Sequence, residues 1–332
     1  MIKGFVFGKF LPFHNGHEAL IRFALTQCDF LTVLICCSEK ENVSGTIRKN
    51  WIETTLHDLP NVEVNVFDYL ESDLPNTSVS SLDVSKIWSA AFLKMFPDYD
   101  LVITSEDYGN YIAEFMGIKH ITFDKSRKLI PVSATAIRHN LFKNWQFLPK
   151  SVKPHYAIKV VILGTESTGK TTLSKKLAEH FKCTMVAEAG RELIEDSNSF
   201  QFSDLNLVAS EQFRRIDEAT TGESALVIID TDIHITKSYS EFIFGKQIEI
   251  EDEFYTKNNG NLFLYLNNDV DYIQDGTRLT EKDRNTLDLS HRKILAEHSI
   301  EFIEIKGNWQ TRFEKALSEI EQFIIEDRVI EG

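Results

Sequence analysis

Residues 159–181 read KVVILGTESTGKTTLSKKLAEHF. From Val160 the run is β-branched and aliphatic up to Gly164, the pattern of a strand buried on both faces in a parallel sheet. Gly164 to Thr171 then spell G-x-x-x-x-G-K-T, a loop that cradles phosphate. Leu173, Leu177 and Phe181 recur every four residues and give the next helix one apolar face. Glycines let backbone N–H groups turn inward around phosphate oxygens, and the helix N-terminus adds partial positive charge. The expected ATP-binding set is Gly164, Glu166, Ser167, Thr168, Gly169, Lys170, Thr171 and Thr172. Lys170 should reach the β- and γ-phosphates, and the Thr171 hydroxyl should ligate Mg²⁺.

The chain has 332 residues, enough for two ordinary domains, and 24 Phe to help fill two cores. Its net charge of −14 is uneven: 15 basic face 17 acidic residues in 1–150, and 21 face 33 thereafter. Such a surface disfavours nucleic acid, which needs clustered Lys and Arg, and leaves phosphorylated small molecules as partners. Cys28, Cys36, Cys37 and Cys183 show no metal-ligand spacing. No apolar run approaches 18 residues and the start lacks a signal-peptide pattern, so the expectation is a cytoplasmic protein with no membrane contact.

Beyond the phosphate loop, Met185 to Leu193 reads as a strand running into a helix and carries Glu188, Arg191 and Glu192. In P-loop kinases this strand end faces the phosphate acceptor; a solvated charge run is the alternative. Leu226 to Asp232 is an apolar strand ending in two carboxylates. An apolar run ending in Asp is where P-loop proteins hold Mg²⁺. Asp230 is the expected metal ligand. Asp232 would orient or deprotonate an acceptor hydroxyl, or else cap the following helix.

The first half opens on a strand, Ile2 to Gly8, followed by Lys9-Phe10-Leu11-Pro12-Phe13-His14-Asn15-Gly16-His17 and a helix ending near Cys28. A parallel sheet with its ligand at the strands' carboxyl ends is again favoured. His14 and His17 can each donate a hydrogen bond to phosphate, and Gly16 leaves room for a nucleotide. Ser133-Ala134-Thr135-Ala136-Ile137-Arg138 forms a second element, with Ser133 or Thr135 as helix cap and Arg138 completing an anion site. The segment 86–96 is predicted as a helix with Ile87, Trp88, Ala91, Met95 and Phe96 on one face.

The pair Gly8 to His17 and Ser133 to Arg138 resembles the nucleotidyltransferase superfamily, and within it the nicotinamide-nucleotide adenylyltransferases. Thr104 to Gly109 and Asn144 to Pro149 are similar to segments of the bifunctional NadR-type proteins, which join such an adenylyltransferase to a ribosylnicotinamide kinase in this order. The resemblance spans residues 2–325. It implies an α/β fold of two parallel-sheet domains, a Rossmann-like nucleotidyltransferase at 1–150 and a P-loop kinase at 157–332. Phosphorylation of nicotinamide riboside to NMN and adenylyl transfer from ATP to NMN are the implied reactions, with Mg²⁺ as cofactor.

Under that resemblance His14 and His17 face the ATP phosphates with Lys9, Ser133 and Arg138 in support. Trp88 and Trp145 are candidates to stack on nicotinamide, with a place in the core as the alternative. Tyr272 to Arg278 resembles the family's lid, where Arg278 would stabilise the transferring phosphoryl group and Tyr272 stands where relatives are expected to carry Trp. A coenzyme A assembly fusion is the competing enzyme reading, because its members also use H-x-G-H and a P-loop. DNA binding, found where such proteins carry a helix-turn-helix, is not expected. Assembly into a homo-oligomer is left open.

Overall fold

The computed structural model describes residues 1–76, 80–194, 200–273 and 279–330, the side chains of 327–330 excepted. Two compact units divide the chain, Met1–Val152 and Lys153–Gly332.

In the first unit five strands pair in parallel. They are β1 (Lys3–Gly8), β2 (Phe30–Ser38), β3 (Val62–Tyr69), β4 (Leu101–Thr104) and β5 (Lys119–Thr122), in the order β3-β2-β1-β4-β5. The chain steps outward from β1 through β2 to β3, then crosses to β4 on the other side of β1. That reversal between β1 and β4 opens a crevice beyond their carboxyl ends, where ligands of open α/β sheets bind. The sheet is covered by aromatic packing. Phe5 stacks on Phe96 at 4.7 Å, and Phe7 meets Phe92 at 4.6 Å. Truncating the fully buried Phe92 to Ala would cost roughly 3–5 kcal/mol, the usual range for a core aromatic.

The helix Leu82–Met95 corrects one expectation. Its buried face carries Ser85, Trp88, Ser89 and Phe92, while Ile87 is exposed. Small serines at 85 and 89 let this face lie close against its neighbours, and Phe92 takes the central position.

The second unit holds β6 (Ile158–Leu163), β7 (Thr184–Val186), β8 (Leu226–Asp230), β9 (Leu262–Leu266) and β10 (Ile303–Ile305), all parallel, in the order β10-β9-β6-β8-β7. Central β6 is buried along its whole length, as its unbroken apolar run requires. The connecting segment 149–156 contains one helical turn at Lys153–Tyr156. No helix among the described residues is long and apolar enough to cross a membrane.

Candidate functional sites

The loop after β1 is shaped by His14. Its backbone is extended, and its Nδ1 caps the helix Asn15–Leu25 by accepting from the N–H groups of Gly16 (3.1 Å) and His17 (3.3 Å). That fixes the tautomer: Nδ1 accepts, so the proton sits on Nε2. The His14 and His17 rings stack at 3.7 Å. Burial, reinforced by the Arg127 charge, lowers His14 to about 3. Burial, then His14 and Arg127, likewise holds His17 well below the ordinary imidazole range. Both rings are therefore neutral donors at pH 7. His17 Nδ1 is buried and unpaired. A Cβ at Gly16 would stand 2.9 Å from the His14 ring, so glycine here serves the ring stack first.

A cavity of about 410 Å³ opens beside these histidines, and Lys9, His14, Gly16, His17, Ser133, Thr135 and Arg138 are among the residues that line it. Ser133 is the cap: its Oγ accepts from Ala136 N at 3.1 Å. The Thr135 hydroxyl accepts from Arg138 Nη2 at 3.4 Å, and Arg138 Nη1 donates to the Leu11 carbonyl. A neighbouring cavity of about 390 Å³ shares Gly8, Lys9, Thr135 and Arg127 and reaches Trp88. Trp88 is nearly buried and donates its Nε1–H to the Pro75 carbonyl, so it is at once core and cavity wall. Trp145 is enclosed in the core.

Three residues that sequence motifs do not mark complete this site. Arg127, with φ +50°, lines both cavities and pairs with Glu106 at 2.8 Å. Fully buried Arg48 donates to the Lys9 carbonyl at 3.0 Å and forms an ion pair with Glu41 at 2.7 Å, while Lys9 Nζ pairs with Glu41 at 2.8 Å. Arg48 and Glu41 thus hold Lys9 by backbone and side chain together.

In the second unit the phosphate loop leaves β6 through Gly164 (φ +137°) and enters the helix Lys170–Phe181 through Gly169 (φ +87°). A Cβ would meet the Leu266 carbonyl oxygen at 2.6 Å from Gly164 and the Trp309 ring at 2.2 Å from Gly169. Thr168 Oγ1 donates to the Thr165 carbonyl at 2.7 Å, and Lys170 Nζ to the same carbonyl at 3.1 Å. Thr172 lies apart, in a small recess with Trp309 and Arg312. Glu166 and Ser167 accept from the backbone N–H groups of Leu279 (3.0 Å) and Ile273 (2.9 Å), and Tyr239 also donates to Glu166 at 3.0 Å. Buried Arg312 donates from Nη1 to the Thr168 carbonyl and from Nη2 to the Asn267 carbonyl, both at 2.8 Å.

Beside the loop is a cavity of about 350 Å³ lined by Lys170, Glu188, Arg191, Asp232 and Tyr239 among others. Glu188 and Arg191 pair at 2.9 Å. Gln212 joins two strand ends, accepting from Ala189 N at 2.8 Å and donating to the Thr231 carbonyl at 3.0 Å. Thr231, between Asp230 and Asp232, takes φ +71°.

Thr171 Oγ1 donates to Asp230 Oδ2 at 2.5 Å. Asp230 Oδ1 is buried without a partner. Burial pushes the Asp230 carboxyl up, against the Lys170 charge. An orphaned buried carboxylate oxygen beside a hydroxyl suits a divalent cation. No group of three His, Cys, Asp or Glu could hold a metal among the described residues.

Asp232 caps the helix Ile233–Phe244, so the capping role expected as an alternative is realised while the residue also lines the cavity. Tyr272 does not line it. Its ring lies against the Arg284 guanidinium at 5.0 Å and its hydroxyl donates to the Leu279 carbonyl. Arg278 lies outside the described residues.

Each unit is thus a doubly wound parallel sheet with a phosphate-handling loop at the carboxyl end of its first strand, the class of two-domain nucleotide-binding α/β proteins. Residues 6–79 match the citrate lyase ligase C-terminal domain family, and residues 159–312 match an AAA domain family. The trifunctional NAD biosynthesis/regulator protein NadR of Escherichia coli (strain K12) is 28% identical over 351 residues, covering 98% of this chain and 84% of that protein. A nicotinamide-nucleotide adenylyltransferase of Thermococcus kodakarensis is 27% identical over 45% of this chain and 79% of its own length. The crystal structure of a NadR protein in complex with NR shares the fold, with a TM-score of 0.68 at 20% identity, covering 97% of this chain and 95% of that one. Over nearly its whole length the chain is similar to NadR proteins.

Proposed function

We propose that this chain carries two ATP-dependent transferase activities of NAD salvage, with residues 157–332 making NMN from nicotinamide riboside and residues 1–150 making NAD from NMN. The observation that carries the reading is the presence of a phosphate-handling loop and an adjoining cavity in each unit, on a chain similar to NadR along nearly its full length.

In the second unit ATP takes the loop Gly164–Thr172. Backbone N–H groups and Lys170 meet the β- and γ-phosphates as charge moves toward the leaving ADP. Thr171 and Asp230 would hold Mg²⁺, which when bound neutralises phosphate charge. Asp232, on the cavity wall, orients the riboside 5′-hydroxyl and takes its proton as the oxygen attacks the γ-phosphorus. Glu188 and Arg191 border the acceptor, and Arg278 remains the expected further positive charge.

In the first unit the NMN phosphate attacks the α-phosphorus of ATP and pyrophosphate leaves. The Nε2–H of neutral His14, with His17, donates to phosphate oxygens. Lys9 and Arg138 supply positive charge, and Ser133 with Thr135 shapes the adjoining turn. Trp88 borders the second cavity, where an aromatic ring is available to nicotinamide. Catalysis here is positioning and charge stabilisation, with no covalent protein intermediate. Dependence on cytosolic ATP makes a cytoplasmic location part of this reading.

The test supplies the purified chain with ATP-Mg²⁺ and, separately, nicotinamide riboside or NMN, and follows products by chromatography. NMN from the first and NAD from the second are expected. Turnover of phosphopantetheine and dephospho-CoA instead would replace the reading with coenzyme A assembly.

A further inference from the structure

Asp232 does not stand alone at the acceptor cavity. Its Oδ2 lies 2.6 Å from His234 Nδ1, and its Oδ1 accepts from the His234 backbone N–H at 3.1 Å. Both side chains are buried, so the contact is shielded from water. His234 is itself held from the other side. Its ring is 5.0 Å from His298 and 5.6 Å from Tyr255, and those two stack at 5.1 Å. Lys237 Nζ contacts His298 Nε2 at 3.0 Å and closes the cluster. A carboxylate with one oxygen fixed by a side-chain donor and the other by a backbone donor cannot rotate freely. Its remaining lone pairs keep one direction relative to the cavity, the preorganisation a proton-accepting group needs.

We infer that His234 is a positioning residue for phosphoryl transfer, holding the Asp232 carboxylate toward the acceptor hydroxyl through its Nδ1–H. The inference rests on the proposed kinase reading of this cavity. His234 does not line the cavity, so it acts only through Asp232.

The experiment compares His234→Leu with His234→Asn in the full chain. Leu keeps apolar volume and removes the donor; Asn loses volume and places its Nδ2–H near the lost Nδ1–H. If donation to Asp232 matters, Leu lowers kcat for NMN formation by about tenfold or more, with the KM for ATP within about twofold, because a misdirected base slows only the chemical step. Asn then retains kcat within about threefold of the parent. Melting temperature monitors packing, and conversion of NMN to NAD by the other unit monitors intact protein. A Leu variant with unchanged kcat overturns the inference. So does the reverse ranking, Leu active and Asn impaired with a lowered melting temperature, which is the signature of packing. A parent chain that forms no NMN from the riboside overturns the kinase reading itself, and this inference with it.

Discussion

The Thr171 hydroxyl donates to Asp230 Oδ2 at 2.5 Å, joining the residue after the phosphate-loop lysine to the last residue of β8. The other oxygen, Oδ1, is buried and unpaired. Replacing Asp230 by Asn preserves shape and removes the charge that would hold Mg²⁺. NMN formation should fall by about 100-fold or more, and the Mg²⁺ concentration for half-maximal rate should rise. An unchanged Mg²⁺ titration would place the metal elsewhere.

The two units should be separable by single substitutions. Lys170→Ala should abolish NMN formation and leave NMN-to-NAD conversion within about twofold, since its Nζ donates to the Thr165 carbonyl of the second unit's own loop. His17→Ala should do the reverse. Loss of both activities from either change, in protein with a parental melting curve, would contradict two independent sites.

Acid should weaken the first unit. Burial and the Arg127 charge lower His14 from 6.5 to about 3. Between those values the unfolded chain binds a proton that the folded chain does not, so stability is full above pH 6.5 and declines as pH falls toward 3. One such histidine contributes a slope of up to about 1.4 kcal/mol per pH unit. His17 acts in the same direction. Trp309 is the second unit's sole tryptophan, so in a Trp309→Phe background fluorescence follows the first unit through urea unfolding. Stability should be lower at pH 5 than at pH 7.5, and His14→Asn should shrink that difference. Equal midpoints at both pH values in the parent would contradict burial of neutral histidines.

Gly169 should tolerate no side chain. Its φ of +87° disfavours an L-residue, and an added Cβ would sit 2.2 Å from the Trp309 ring. Gly169→Ala should raise the KM for ATP in NMN formation by about tenfold or more, with partial recovery on adding Trp309→Ala, which relieves the collision but not the backbone strain. Full activity of Gly169→Ala would show that the loop can shift without cost.

What could be read beforehand was contiguous. Gly164 to Thr171, His14 to His17 and Ser133 to Arg138 each place their chemistry within one loop-to-helix turn, where spacing alone fixes geometry. Residues that act across the fold left no such trace. Arg48 reaches Lys9 across 39 positions and Gln212 reaches Thr231 across 19. In sequence each is only a polar residue on a helix. Strand β5 has four residues with no buried one, so no apolar run marks it. On the helix Leu82–Met95, Ser85 and Ser89 turn inward while Ile87 faces solvent, because close packing selected side-chain size over apolarity. Asp232 takes the capping role that stood as its alternative, and it also lines the cavity.

Arg312 fastens the Thr168 carbonyl across 144 positions, from the helix Trp309–Ile330. During synthesis the pocket around His14 can close once Arg138 has left the ribosome, but the lysine-bearing loop lacks its anchor at Thr168 until Arg312 follows. A growing chain thus completes the first of its two phosphate-handling loops before the second.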